Sequence, residues 1–143
     1  MSQSSDCIFC KIVKGEIPAS VVFEDEHVMA FMDIFPIAEG HILLIPKDHY
    51  TNMLDIDLEL LPHLARRLAL LTRQVDKAFN VGGVMNIAAN GAGAGQEIPH
   101  LHFHVIPRGR DANYGFRFPP GYREEMAPRE KLESIAKKIQ EAA

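Results

Sequence analysis

Apolar positions recur along the chain with two different periods. Leu58, Leu61, Leu64, Leu68, Leu71, Val75 and Phe79 return every three or four residues. That spacing gathers side chains on one face of a long amphipathic helix. Pro62 suits its first turn, where a missing N–H costs nothing, and Gly82-Gly83 is expected to end it. Shorter apolar runs bounded by turn residues predict strands: Val21–Glu24, Val28–Asp33, His41–Ile45 stopped by Pro46, Val84–Ala89, and Leu101–Ile106 stopped by Pro107. Glu24-Asp25-Glu26 reads as a hairpin turn. Phe9–Lys14 predicts a short helix closed by Gly15, and Leu132, Ile135, Ala136 and Ile139 a C-terminal helix after Pro128. Asp111–Pro128 has no clear period. Hairpin neighbours with one long helical crossover predict an α+β fold around a mainly antiparallel sheet.

Composition narrows the class. The 143 residues fit one domain, 1–143, with 47% apolar and 24% charged side chains, as in an ordinary globular protein. A formal charge of −4 argues against duplex nucleic acid as a partner, although Arg108, Arg110 and Arg117 could meet phosphates locally. Met1–Asp6 is polar and no apolar run is long enough to cross a bilayer, so a cytoplasmic protein without a membrane partner is expected. The only cysteines, Cys7 and Cys10, exclude a multi-disulfide scaffold and leave a metal or a redox reading.

Candidate chemistry concentrates in Pro99-His100-Leu101-His102-Phe103-His104. On a strand, alternate side chains share a face, so the three histidines would point one way and Leu101, Phe103 and Val105 the other. Seven histidines in the chain make three at alternate positions an improbable accident, although a merely solvated strand face is the plain alternative. A neutral imidazole is a competent nucleophile at ordinary pH. Across five strand residues the outer two rings lie roughly 13 Å apart, too far for one metal ion to hold all three. Upstream, Asn90-Gly91-Ala92-Gly93-Ala94-Gly95-Gln96 could be only a tight turn. Followed by the histidines it suggests a phosphate pocket, since glycine lets backbone approach an anion closely.

The segment His100-Leu101-His102-Phe103-His104-Val105-Ile106 resembles the signature of the histidine triad (HIT) family. Gly95-Gln96, Pro107-Arg108, Asp33-Ile34-Phe35-Pro36 and Gly40–Pro46 extend the resemblance over about residues 7–108, leaving the tail at 109–143 less covered. The resemblance implies a HIT-like five-stranded sheet. It also implies a nucleotide hydrolase or transferase that cleaves nucleoside monophosphate conjugates at the α-phosphate: phosphoramidates, dinucleoside polyphosphates or adenylylated compounds. His102 would attack and form a covalent nucleotidyl-histidine. His104 would hydrogen-bond the phosphate and assist the leaving group, Gln96 would hold non-bridging oxygens, and His41 would support the triad. Asp33 would bind the ribose of a purine nucleotide. Ile8, Phe9, Ile12, Phe31 and Ile34 would line the base pocket, though apolar residues of this kind are as often plain core. Asn90 is the loop's polar candidate, with Ala89 one position away.

In some bacterial members of the family a zinc sits on two such cysteines and two histidines, and the matching set is Cys7, Cys10, His49 and His100. Four protein ligands fill a tetrahedral ion, so such a zinc would be structural. Two buried thiols are the alternative. His27 and His63 match no motif. The resemblance further implies a twofold homodimer. Two other readings stand beside it. One is a nucleotide-binding regulatory protein with incidental catalysis. The other is a metal-dependent hydrolase with His100 and His102 on a catalytic ion, disfavoured because the histidine strand carries no carboxylate.

Overall fold

A computed structural model describes residues 4–115 and 117–143. The chain divides into two compact units, 1–113 and 114–143. In the first, the elements run α1 (Ile8–Val13), β1 (Val21–Glu24), β2 (Val28–Met32), β3 (Ile42–Pro46), α2 (Leu61–Phe79), β4 (Val84–Ile87), a single 3₁₀ turn (Ala92–Ala94) and β5 (Phe103–Pro107). The second holds α3 (Arg129–Glu141), which is exposed along its length. The order of helices and strands is the one the hydrophobic pattern predicts.

The strands form one antiparallel sheet in the order β1-β2-β3-β5-β4. Two layers cover it because β3 is apolar on both sides. Ile42 and Leu44 join Leu64, Leu71, Val75, Leu101 and Val105 in the core beneath α2. Leu43 and Ile45 join Phe9, Cys10, Met29 and Phe31 beneath α1. Leu43 lies directly opposite His104 in the β3–β5 register, so His104 stands on the α1 face. That face carries the site, while α2 seals the other.

Boundaries differ from the pattern in instructive ways. α2 begins at Leu61, and Leu58 stays outside it, largely exposed. Its end comes at Asn80, whose left-handed backbone (φ 47°) caps the helix before Gly82-Gly83 is reached. Asparagine tolerates this conformation better than most residues, so the glycines are not needed as the stop. β5 starts at Phe103, not at Leu101. The Leu101 N–H is taken by the Tyr50 carbonyl (2.7 Å), outside the sheet ladder, yet Leu101 remains fully buried in the α2-side core. The alternation of apolar and histidine positions therefore survives past the end of the strand. The 25–28 turn is held by the Asp25 carboxylate, which accepts the N–H groups of His27 and Val28 and sits 2.7 Å from the His63 ring. Gly40 (φ 95°) is buried against the Phe79 ring, where a Cβ would collide, so the turn into β3 packs on the end of α2.

Candidate functional site

On the α1 face a cleft of about 460 Å³ opens between α1, the 33–40 loop and the approach to β5. Its walls are apolar. Ile8, Phe9, Ile12, Phe31 and Ile34, the five residues expected at a base pocket, all line it. Phe9 and Phe31 form the floor edge to face, with centroids 5.5 Å apart, while Ile34 stands at the exposed rim. Sequence reasoning missed Ile17, Pro18, Phe35, Ile37 and Ile98, which line the same cleft. For Phe35 and Ile37 a signal existed: large apolar side chains in a loop with no periodicity to bury them. Phe35 is 83% exposed.

At the polar end stand Asp33, His41, His102 and His104. Their hydrogen bonds fix the tautomers. His102 Nδ1 lies 2.7 Å from the His100 carbonyl oxygen. A carbonyl only accepts, so Nδ1 carries the proton and the lone pair of the neutral ring resides on Nε2. The His41 Nδ1 accepts the Ile37 N–H at 3.1 Å, which leaves the His41 proton on Nε2. That proton reaches His104 Nδ1 at 2.8 Å, with the Asp33 carboxylate 3.4 Å from the same His41 nitrogen. His104 in turn carries its hydrogen on Nε2. The His102 and His104 rings lie 5.0 Å apart. The arrangement places a basic nitrogen on His102 beside a donor nitrogen on His104.

The glycine loop is organised differently from the phosphate cradle the sequence suggests. The Gln96 carboxamide is spent inside the protein: its oxygen accepts Asn52 Nδ2–H and the Gly91 N–H, and its nitrogen donates to the Thr51 and Ile98 carbonyls. Gln96 is not among the cleft-lining residues, and neither is Asn90, whose carboxamide oxygen accepts the Met53 N–H. Both side chains brace the loop. Its neighbours Gly95 and Glu97 are the residues presented to the cleft.

A second cluster lies behind the nucleophile candidate. Cys7, Cys10, His49 and His100 present ligand atoms that all lie within 4.8 Å of one another. The Cys7 and Cys10 sulfurs are 3.2 and 3.6 Å from His100 Nδ1, and Cys10 is 3.4 Å from His49 Nδ1. A tetrahedral ion with metal–N near 2.0 Å and metal–S near 2.3 Å needs ligand–ligand edges of about 3.5 Å. The His100 Nε2–H donates to the Pro46 carbonyl at 2.8 Å, turning the Nδ1 lone pair toward the thiols. Backbone N–H groups of Ser4 and Cys10 point at the two sulfurs, as thiolates require. The donor set therefore fits a structural tetrahedral ion. His102 belongs to neither metal-competent cluster among the described residues; the other is Asp33, His41 and His104.

Burial holds these rings neutral. The His100 and His104 pKa values are both pushed down to about 4, and that of His41 is also lowered, with Asp33 opposing the shift. Below pH 6.5 the unfolded chain would take up protons that the folded one refuses. In the metal-free protein, stability should be full above pH 6.5, fall between 6.5 and about 4, and level off beneath. Urea midpoints measured from pH 7.5 to 4 check this; a midpoint flat across that range contradicts it.

Fold and site together define a small α+β protein whose apolar cleft ends in a hydrogen-bonded histidine pair beside a third, nucleophile-competent histidine. The HIT domain model matches residues 14–111, and the chain belongs to the HIT family. It is 44% identical over 112 residues to the adenosine 5'-monophosphoramidase HNT1 of Saccharomyces cerevisiae, covering 76% of this chain and 66% of that protein. To the adenylylsulfatase HINT3 of Arabidopsis thaliana it is 36% identical over 104 residues, 73% of this chain and 53% of that one. A solved structure of a HIT-family member from Bacillus subtilis superposes with a TM-score of 0.89 at 35% identity, covering 97% and 98% of the two chains. Cys7 and Cys10 lie outside the span matched by the family model. No helix among the described residues is long and apolar enough to cross a membrane.

Proposed function

We propose that this protein cleaves nucleoside monophosphate conjugates at the α-phosphate through a covalent intermediate on His102. The base lies in the cleft on Phe9 and Phe31, and the ribose hydroxyls reach Asp33. His102 Nε2 attacks phosphorus; the bond to the leaving group breaks and takes its electron pair with it. Because Nδ1 keeps its proton, the nucleotidyl ring is cationic and the His100 carbonyl stabilises it. His104 Nε2–H, held in place by His41, hydrogen-bonds the phosphate and passes its proton to the departing atom, and the water that later attacks phosphorus returns a proton to His104. Water then attacks phosphorus and frees the nucleoside monophosphate, restoring Nε2. One hard displacement becomes two easier ones. Gln96 and Asn90 act by bracing the loop, not by touching the nucleotide.

The observation that carries this reading is the 2.7 Å bond from His102 Nδ1 to the His100 carbonyl, which selects the tautomer with its lone pair on Nε2. Kinship with a monophosphoramidase and an adenylylsulfatase supports a purine nucleotide conjugate as substrate. We assign zinc to the Cys7, Cys10, His49 and His100 set. It would tie α1 to the histidine segment and supply no step of the reaction. Family membership supports a homodimer working in the cytoplasm.

The test is a rapid quench. Brief incubation with an adenosine phosphoramidate, followed by mass spectrometry under non-acidic conditions, should show one acid-labile nucleotidyl group on the peptide containing His102. Steady turnover without that adduct, or an adduct on another residue, overturns the mechanism.

A further inference from the structure

The cleft has an electrostatic peculiarity for a site that takes a phosphate. Within residues 4–113 no lysine or arginine lines it. Its ionisable side chains are Asp33, Glu97 and three histidines, and burial keeps His41 and His104 from supplying positive charge. A monoanionic phosphodiester or phosphoramidate can be met by hydrogen-bond donors alone. Each further phosphate on the leaving group would face carboxylates, with no lysine or arginine among the residues of 4–113 that line the cleft.

Glu97 is the second carboxylate on the cleft. It is exposed, lines the cleft together with His102, His104 and Gly95, and follows directly on Gln96. The four hydrogen bonds of the Gln96 carboxamide lock the loop and so fix where Glu97 stands. Glu97 also borders a second hollow of about 300 Å³ that shares Ile8 and Ile98 with the cleft and continues past Thr51, Ser4 and Asp6. Among the described residues that hollow is lined by Asp6 and Glu97, the hydroxyls of Ser4 and Thr51, and Cys7 and His49 of the four-ligand cluster, with no lysine or arginine. Asp33, by contrast, has one oxygen on the Phe35 N–H and the other beside His41, so it belongs to the ribose end.

We propose that Glu97 is a specificity-determining residue that selects conjugates whose leaving group carries an ammonium ion and rejects anionic leaving groups such as further phosphates. The proposal rests on the His102 reaction above and narrows its leaving group to one that carries a free ammonium ion besides the atom bonded to phosphorus.

Three adenosine conjugates test it: the phosphoramidate of a diaminoalkane with a free terminal ammonium, that of the matching alkylamine, and that of the matching ω-amino acid with a terminal carboxylate. At low salt kcat/KM should fall in that order, by roughly three- to ten-fold at each step for a partly exposed charge, and the spread should shrink as ionic strength rises. Glu97→Gln should compress the ammonium-to-carboxylate ratio toward unity and Glu97→Lys should invert it. Glu59→Gln, an exposed acid outside the cleft, should leave the ratio as in the wild type. A flat series in the wild type, or a spread unchanged in Glu97→Gln, overturns the assignment of Glu97 while the His102 adduct still forms. If no conjugate yields an adduct, the underlying reaction fails and the assignment falls with it.

Discussion

His102→Ala should lower turnover of an adenosine phosphoramidate by on the order of 10⁴-fold or more and abolish the covalent adduct, because the variant has no atom that can replace Nε2 on phosphorus. The loss should appear in kcat and kcat/KM together, since the missing interaction is a bond made only on the way to the intermediate. Stability should change little. His102 is half-buried, and its packing is an edge-to-face contact with Phe9 at 5.3 Å, on a segment anchored independently by Leu101 and His100. His102→Gly allows a sharper experiment. Added imidazole can enter the vacated space, attack phosphorus in place of the side chain and restore cleavage with release of a free nucleotidyl-imidazole. A His102→Ala enzyme that turns over at the wild-type rate would sink the mechanism. His104→Ala should behave differently: the adduct can still form, more slowly, because the nucleophile remains while its neighbouring donor is lost.

Cys10→Ser should release the metal and destabilise the fold by about 3 kcal/mol or more, lowering Tm by roughly 10 °C. The reason is topological. Cys7 and Cys10 come from α1, His49 from the segment after β3, and His100 from the approach to β5. One ion would hold together three parts of the chain otherwise joined by the apolar cluster under α1. Without it, burial leaves Cys10 with a raised pKa, as a neutral thiol against two imidazoles. The ion should also reach the chemistry indirectly, because the backbone carbonyl of the same His100 orients His102. Metal content should be one zinc per wild-type chain, and cobalt substitution should give thiolate-to-metal charge-transfer bands that Cys10→Ser reduces. A chelator should act slowly, in step with loss of structure. Instant inhibition would instead favour a catalytic ion. Full stability of Cys10→Ser with no metal in the wild type would remove the site altogether.

Much of this was legible in the chain before folding. The three-and-four spacing of Leu61 to Phe79 is a local property, since one turn of helix sets which residues share a face. The same holds for the period of two that puts Leu101, Phe103 and Val105 opposite the histidines. The resemblance carried the family and the pairing of Cys7-x-x-Cys10 with His49 and His100. Where the structure adds most to the reading, contacts between distant segments take part. Gln96 looked like a phosphate ligand because a carboxamide after a glycine loop has the right chemistry. Its four partners come from residues 51, 52, 91 and 98, and no sequence window shows that these exhaust it. The Asn90 carboxamide oxygen likewise meets a distant group, the Met53 N–H.

The histidine segment shows the division most clearly. The sequence by itself determined that three imidazoles alternate with apolar anchors, because side-chain direction along an extended backbone depends only on the neighbouring bonds. It could not assign their protons. Those depend on which partner each ring nitrogen meets: the His100 carbonyl as acceptor for His102 Nδ1–H, the Pro46 carbonyl as acceptor for His100 Nε2–H, and the His41 Nε2–H as donor to His104 Nδ1. The first partner is two residues away, but Pro46 and His41 come from the distant β3 segment, and burial in the folded chain pushes the His100 and His104 pKa values down to about 4. Tertiary structure thus sets one histidine against two thiols, leaves the next with its lone pair on Nε2 and makes the third a donor through its own Nε2.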